Sequence, residues 1–399
     1  GLIFLKYISD TFDNQKNKIK KMVSDKESDL FISEDSKVYE KELEDRDYYT
    51  KDNVFWVPQN ARWGKIRSLA KQSDIGSIID KALIEIENEN KFLQGKLDKR
   101  FGRTELEEGI LGQLIDKISK IGFTEEQKAR DLLGEIYEYF LGQFAKAEGK
   151  KGGQYYTPTG VVNMLVSIIS PFKGRVYDPC CGSGGMFVQS QDFIKNHGGK
   201  IDDISIYGQE SNPTTWRLAA MNLAIRGFSV DLGKSHGNTF SNDQFQDLKF
   251  DYILANPPFN DSDWGGEKFE NDVRWKYGKP PNGNANFAWL QHIAWKLKKD
   301  GIAGVVLANS SLSSANKNTN SEYLIRKNMI GDDIVEVMVS LPAKLFVNTQ
   351  IEVCFWILNK DKKNKGKTLF INAKNLASQN PEERKQLIIN EKNMKLISN

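Results

Sequence analysis

Cysteine is nearly absent from this chain: three of 399 residues, two of them the adjacent Cys180 and Cys181. Three scattered thiols exclude a disulfide framework. Histidine is as scarce, with only His197, His236 and His292, so no Cys/His spacing builds a tetrahedral metal set and no metal is expected. Long hydrophobic runs are missing as well. The longest apolar stretches, such as residues 301–308, fall far short of the roughly 20 residues that cross a bilayer. Without a membrane span or a secretory pattern, the expected compartment is the cytoplasm. Charge of one sign is also in short supply: 56 Lys and Arg against 53 Asp and Glu leave a net +3. A protein that grips a polyanion on its own usually carries a stronger basic bias.

What is present describes a globular protein long enough for two domains, 39% hydrophobic and 27% charged. Residues 1–150 show helical spacing without a strand series, as in Ile75-Ile78-Ile79-Leu83-Ile86 and Leu132-Leu133-Ile136-Tyr139-Phe140. The opening Gly1 falls inside an apolar helical pattern, which predicts that the natural N-terminus lies further upstream. Residues 14–51, rich in Lys, Asp, Glu and Ser, read as a mobile connection or a partly helical excursion. A polar, glycine-rich stretch at 146–153 marks a boundary. Across 151–375 strands and helices alternate, which predicts a doubly wound, mostly parallel α/β sheet with ligands at the strands' carboxyl ends. Residues 376–399 read as the start of a helical tail. The cluster Lys360, Lys362, Lys363, Lys365 and Lys367 reads first as a solvated loop joining a hairpin of residues 356–358 and 369–371, and second as a phosphate contact.

Three motifs fall at the expected ligand edge. Phe250-Asp251-Tyr252-Ile253-Leu254-Ala255 is a buried-strand pattern that stops at Asn256-Pro257-Pro258-Phe259. Neither proline can donate to a ladder, so the chain must leave the sheet there. The turn offers the Asn256 amide, the Pro257 carbonyl and the Phe259 ring, a set suited to a planar amine: two acceptors for its hydrogens and a face for stacking. Upstream, Asp178-Pro179-Cys180-Cys181-Gly182-Ser183-Gly184-Gly185 links a strand to a helix. Glycines there let a ligand approach the helix N-terminus closely, although the spacing departs from the dinucleotide fingerprint. About twenty-five residues on, Ile204-Ser205-Ile206-Tyr207-Gly208-Gln209-Glu210 ends in an acid placed to accept both hydroxyls of a ribose, which makes the ligand a nucleoside. The third motif, Gly153-Gln154-Tyr155-Tyr156-Thr157-Pro158, is a helix start with Thr157 as N-cap and Pro158 at the first helical position. Its two tyrosines can contact a sulfonium or an adenine ring.

These motifs, in this order, resemble the amino-methylating DNA methyltransferases that use S-adenosylmethionine, above all the modification subunit of type I restriction–modification systems, HsdM. The resemblance extends to residues 1–10, to Asn284-Ala285-Asn286-Phe287-Ala288-Trp289, to Leu307-Ala308-Asn309-Ser310-Ser311-Leu312-Ser313 and to Asn348-Thr349-Gln350-Ile351. It implies a Rossmann-like catalytic domain behind a helical N-terminal domain, and adenine-N6 methylation of duplex DNA. It also implies that Gly182, Ser183, Gly184 and Gly185 line the methionine side of the cofactor, with Asp178 near its amino group. Glu210 would then hold the ribose and Asn238 face the cofactor's adenine, while Asn286 serves the target side or caps a helix. The implied partners are a specificity subunit, a second modification subunit and a restriction subunit.

Rival readings stay in view: a solitary N6-adenine or N4-cytosine methyltransferase, or a protein-glutamine methyltransferase, whose amide poses the same chemical problem. Cytosine-C5 methylation is excluded because the target loop has no cysteine nucleophile. Residues 260–283, with Trp264, Phe269, Trp275 and Tyr277 among glycines and charges, either pack on the domain or order around an extruded base.

Overall fold

A computed structural model describes residues 1–103, 109–122, 157–200, 203–313, 321–346, 350–381 and 386–398. The chain divides into two compact units, residues 1–139 with 220–228 and residues 140–219 with 229–399. The boundary expected near residue 150 and the pattern at 132–140 lie outside the described residues.

The first unit is helical. Its helices are α1 (Leu2–Ser24), α2 (Tyr39–Leu43), α3 (Arg46–Lys51), α4 (Trp63–Ser68), α5 (Ile75–Glu89) and α6 (Ile110–Ile118). Along α1, Phe4, Ile8, Phe12, Gln15, Ile19 and Val23 recur at three- and four-residue steps and are buried, the stripe that fixes an amphipathic helix on its core. Phe12 stacks on Tyr49 at 4.5 Å and meets the edge of Trp56 at 5.2 Å. The polar stretch from residue 14 is thus largely helical, because α1 continues to Ser24 and Tyr39 and Tyr49 anchor the short helices after it.

The second unit is built on a twisted sheet. In chain order it contains α7 (Thr159–Ile169), β1 (Gly174–Asp178), α8 (Gly185–Asn196), β2 (Ile204–Gly208), the first half of α9 (Pro213–Ile225, whose residues from 220 on belong to the first unit), β3 (Val230–Asp231) and β4 (Phe250–Ala255). Then come α10 (Asn286–Lys296), β5 (Leu297–Ala308), α11 (Ser321–Gly331), β6 (Val335–Ser340), β7 (Val353–Asn359) and β8 (Leu369–Asn372), and finally β9 (Ser378–Gln379), β10 (Leu387–Ile388) and α12 (Glu391–Ser398). The strand order is β3-β2-β1-β4-β5-β7-β6-β8. Every pairing within this sheet is parallel except those of β7, which runs antiparallel to β5 and β6. The doubly wound class expected from the alternation is therefore the class observed. β7 and the carboxyl-terminal halves of β4 and β5 are apolar and buried on both faces, and Tyr177, Phe250, Phe287 and Trp356 fill the core between sheet and helices.

One expectation fails here. Residues 356–358 and 369–371 do not form a hairpin: β8 pairs in parallel with β6, while β7 lies on the other side of β6. The connecting lysines are not uniformly solvated either. Lys362 is buried, bound to Asp333 at 2.5 Å and to the Val335 carbonyl at 3.0 Å.

Candidate active site

At the carboxyl ends of β1, β2 and β4 the sheet opens into a cavity walled by Gly182, Glu210, Asn238, Asn256, Pro257 and Trp289, among others. The order reversal beside β1 creates the crevice: β2 lies on one side of β1 and β4 on the other, so the loops after them diverge. Each sequence motif therefore arrives at this edge by topology.

The loop after β1 makes a tight turn. Gly182 and Gly184 have φ of +55° and +85°, a region open to glycine at little cost. A Cβ at Gly182 would meet nothing within 4 Å, so this glycine is not demanded by packing and leaves room against the loop backbone for a ligand. Asp178 ends β1 and is buried, and its carboxylate accepts the Cys180 N–H at 2.9 Å. It braces the loop from within and is not among the cavity-lining residues. Burial raises its pKa to about 7, against the lowering effect of the Cys180 bonds and with a further upward push from Glu210.

Glu210 follows β2 and is also buried. It accepts the Gly182 N–H at 3.0 Å and the Asn212 N–H at 2.7 Å, tying the glycine loop to the β2 end. Burial raises its pKa, and those backbone donors oppose the rise. Asn238 lines the cavity while its Oδ1 accepts the N–H groups of Phe240 and Ser241, an Asx turn that fixes the segment after β3. Thr239 ties that segment back to the first loop by donating to the Pro179 carbonyl at 2.5 Å.

The turn after β4 carries the most informative atom. Asn256 Nδ2 donates to Thr157 Oγ1 at 2.7 Å, whereas Asn256 Oδ1 is buried and has no partner among the described residues. A buried amide oxygen without a donor costs roughly 1–3 kcal/mol unless a ligand supplies one. Thr157 is thereby drawn out of its expected capping role. The N-cap of α7 is Pro158 and the helix begins at Thr159, one residue later than the sequence implied. Gln154, Tyr155 and Tyr156 lie outside the described residues. Pro257 and Pro258 line the cavity; Phe259 does not, and its half-buried ring meets Phe346 edge-on at 5.5 Å. Asn286 is the first residue of α10 and its side chain clasps Asn260 from both ends, accepting its N–H at 3.0 Å and donating to its Oδ1 at 2.8 Å. It positions the Asn-Pro-Pro-Phe turn from outside the cavity lining.

Residues 260–283 pack onto the domain. Trp264 and Tyr277 are buried, and Phe240, Trp264 and Trp289 form an aromatic cluster, with Phe240 at 5.0 Å from Trp264 and 4.4 Å from Trp289. Arg274, 7% exposed, holds the segment down. It forms a fork to Asp272 and donates to the Phe240 carbonyl at 2.8 Å. His292 beside it stays neutral, since burial and the Arg274 charge hold its pKa well below the usual value. Sequence reasoning gave no site role to several cavity residues, among them Ser211, Phe240, Asp261 and Trp289. Trp289 looks like ordinary helix core by spacing, yet its indole N–H is buried and unpartnered among the described residues. Asp261 lies only five residues beyond Asn256, a proximity in sequence that was the available signal.

A mostly parallel sheet that gathers a glycine loop, the buried Glu210 and the Asn256-Pro257-Pro258-Phe259 turn around one crevice has the architecture of the S-adenosylmethionine-dependent methyltransferase class. Comparison with known proteins is specific within that class. The N-6 DNA methylase family matches residues 128–399, and the HsdM N-terminal domain matches residues 1–118. The type I restriction enzyme HindI methylase subunit of Haemophilus influenzae is 46% identical over 340 residues, covering 80% of this chain and 76% of its own. The MjaIX methylase subunit of Methanocaldococcus jannaschii is 38% identical over 406 residues, covering 100% and 71%. In fold, the crystal structure of a type I restriction-modification methyltransferase subunit from Streptococcus thermophilus superposes with a TM-score of 0.78 at 23% identity, over 100% of this chain and 86% of that one. The chain belongs to the N-6 DNA methylases and, within them, to the methylase subunits of type I restriction enzymes. It is an adenine-N6 DNA methyltransferase.

Proposed function

We propose that this chain methylates the N6 amine of an adenine flipped out of duplex DNA, with Asn256 directing the amine. The observation that carries this assignment is the unpartnered Asn256 Oδ1 beside the cavity. An adenine amine is a weak nucleophile because its lone pair is delocalised into the ring. Two acceptors, Asn256 Oδ1 and the Pro257 carbonyl, would take its two hydrogens and turn the lone pair away from the ring plane. The fixed Thr157 bond keeps the Asn256 oxygen aimed at the amine and presents no competing donor. Orientation of this kind can contribute roughly 7–11 kcal/mol to a barrier. Pro258 would stiffen the turn, and Phe259 would stack on the base by turning from its contact with Phe346.

S-adenosylmethionine, when bound, supplies a methyl group made electrophilic by its sulfonium. The residues present fit it: open space over Gly182, an acid at Glu210 on the cavity wall, and a fixed Asn238. Gly182, Ser183, Gly184 and Gly185 would pass along its methionine portion, with Asp178 beneath offsetting the ammonium. Glu210 would accept from the ribose and Asn238 would flank the adenine. Gln154, Tyr155, Tyr156, Thr157 and Pro158 would close the side nearest the sulfonium. With its two hydrogens held by Asn256 Oδ1 and the Pro257 carbonyl, the methylated amine would release its surplus proton to water.

The net charge of +3 is slight for a chain that must hold a duplex alone. Sequence recognition is accordingly delegated to a specificity subunit, in an assembly with a second modification subunit and a restriction subunit. No described helix is long and apolar enough to cross a membrane, and we place the assembly in the cytoplasm. Nucleoside mass spectrometry of DNA incubated with the chain, a specificity subunit and cofactor tests the assignment. N6-methyladenine is expected. N4-methylcytosine, or methylglutamine in a protein substrate, would move the chain to one of the rival classes.

A further inference from the structure

The sheet has a second cleft at its opposite edge. Where β4, β5 and β6 begin and the antiparallel β7 ends, a space of about 620 Å³ opens among Lys249, Lys276, Trp295, Lys299, Asp332 and Lys360. Lys249 immediately precedes β4, whose other end carries Asn256, so the two clefts are about one strand length apart, roughly 20 Å. Nothing in the methyl-transfer chemistry uses this edge.

Its charge is one-sided. Four ammonium groups face a single carboxylate, and Asp332 is already shared by Lys276 at 2.6 Å and the Tyr277 hydroxyl at 2.6 Å. Arg274 reaches the same cleft but is neutralised by Asp272. Lys249, Lys299 and Lys360 form no ion pair among the described residues. Backbone carbonyls fix two of them: Lys249 donates to Trp295, and Lys360 donates to Leu297 at 2.8 Å. These ammoniums are held in place without a direct ion pair among the described residues; Asp243 near Lys249 and Asp332 near Lys360 offset their charge only in part. Lys360 shows the consequence: burial of its amine, then the neighbouring Lys249 and Lys276 charges, pull its pKa down to about 8. Burial lowers that of Lys249 as well. A bound anion would relieve both. The ring of Trp295 offers no stacking invitation, since Lys249 already lies 3.8 Å over it. Recognition here is by charge and oxygen acceptors.

We propose that this cleft binds a phosphate-bearing anion, its phosphoryl oxygens held by Lys249, Lys299 and Lys360. The phosphates can belong to a free polyphosphate or to a nucleic-acid backbone, and one experiment separates the two. Isothermal titration of the full chain with inorganic tripolyphosphate, with ATP and with a duplex of arbitrary sequence is repeated on Lys299→Glu and Lys360→Glu. Lys299 is exposed, so its reversal is compatible with folding, and unchanged S-adenosylmethionine affinity serves as the control. Tripolyphosphate is expected to bind the unaltered chain in a salt-sensitive manner and to weaken at least tenfold in each variant. If ATP follows tripolyphosphate while duplex affinity ignores the substitutions, the ligand is a free polyphosphate. If duplex affinity falls with them and tripolyphosphate competes, it is a nucleic-acid backbone. Failure of all three probes to bind, or binding that the substitutions leave unchanged, overturns the proposal while leaving the methyl-transfer assignment intact.

Discussion

Single residues in the site are held in states that water would not allow. Asp178 is the clearest case. Its pKa of about 7 lies above the ordinary carboxylate range, so the folded protein binds this proton more tightly than the unfolded chain does. The stabilisation it brings is complete below about pH 4 and is lost as pH rises through about 7, a change of at most a few kcal/mol. Asp178→Asn keeps an acceptor for the Cys180 N–H and cannot ionise. Calorimetric melting between pH 4 and pH 8 should therefore show the unaltered chain losing stability relative to this variant as pH increases. Parallel curves would mean that Asp178 is already ionised when folded. Glu210 invites a separate test. Glu210→Ala removes the proposed ribose acceptor and the partner of the Gly182 amide. Charge-assisted hydrogen bonds contribute about 1.5–3 kcal/mol each, so cofactor affinity should fall roughly tenfold to a hundredfold in a calorimetric titration. Unaltered affinity would take Glu210 out of the cofactor site.

At the scale of elements, the strands of the large sheet were legible because most are short apolar runs cut off by glycine, proline or charge, and because their alternation with helices admits few topologies. By contrast, β9 and β10 fall within residues 376–399, which read as a helical tail. Their partners were less legible. Residues 356–358 and 369–371 look like a hairpin because apolar runs close in sequence usually pair, yet β8 reaches past to β6 and docks in parallel. Periodicity reports that a segment is a strand and says nothing of its neighbour. Thr157 failed as a cap for a related reason: the competing partner, Asn256, is 99 residues away. The packing of residues 260–283 depends on Arg274, whose contacts at Thr239, Phe240 and His292 are likewise distant in sequence. Arg274→Met would leave Asp272 and two carbonyls without their donor, and loss of one partner of a buried pair typically costs about 3–5 kcal/mol. We expect chemical denaturation to show a loss of about 3 kcal/mol, with protease cleavage appearing first within 260–283. A variant as stable as the parent, with that segment still protected, would show that the aromatic cluster alone holds it.

Across the whole molecule, the helical unit and the sheet unit are each built by ordinary amphipathic burial, and the unusual features gather at two edges of one sheet. The carboxyl edge collects the glycine loop, Glu210 and Asn256; the amino edge collects Lys249, Lys299 and Lys360, which form no ion pair among the described residues. The composition legible at the outset, with scarce cysteine and histidine and nearly balanced charge, agrees with a mechanism that needs neither thiol nor metal from the protein and with recognition shared among subunits. The central claim is that Asn256 acts on the target amine and not on the cofactor. The most direct measurement pairs calorimetry of S-adenosylmethionine binding with tritium transfer to duplex DNA, for the assembled complex carrying either the unaltered chain or Asn256→Ala. The account predicts cofactor affinity within about twofold and a transfer rate lower by roughly a hundredfold or more. Retention of most of the transfer rate, or loss of cofactor binding in its place, would contradict it.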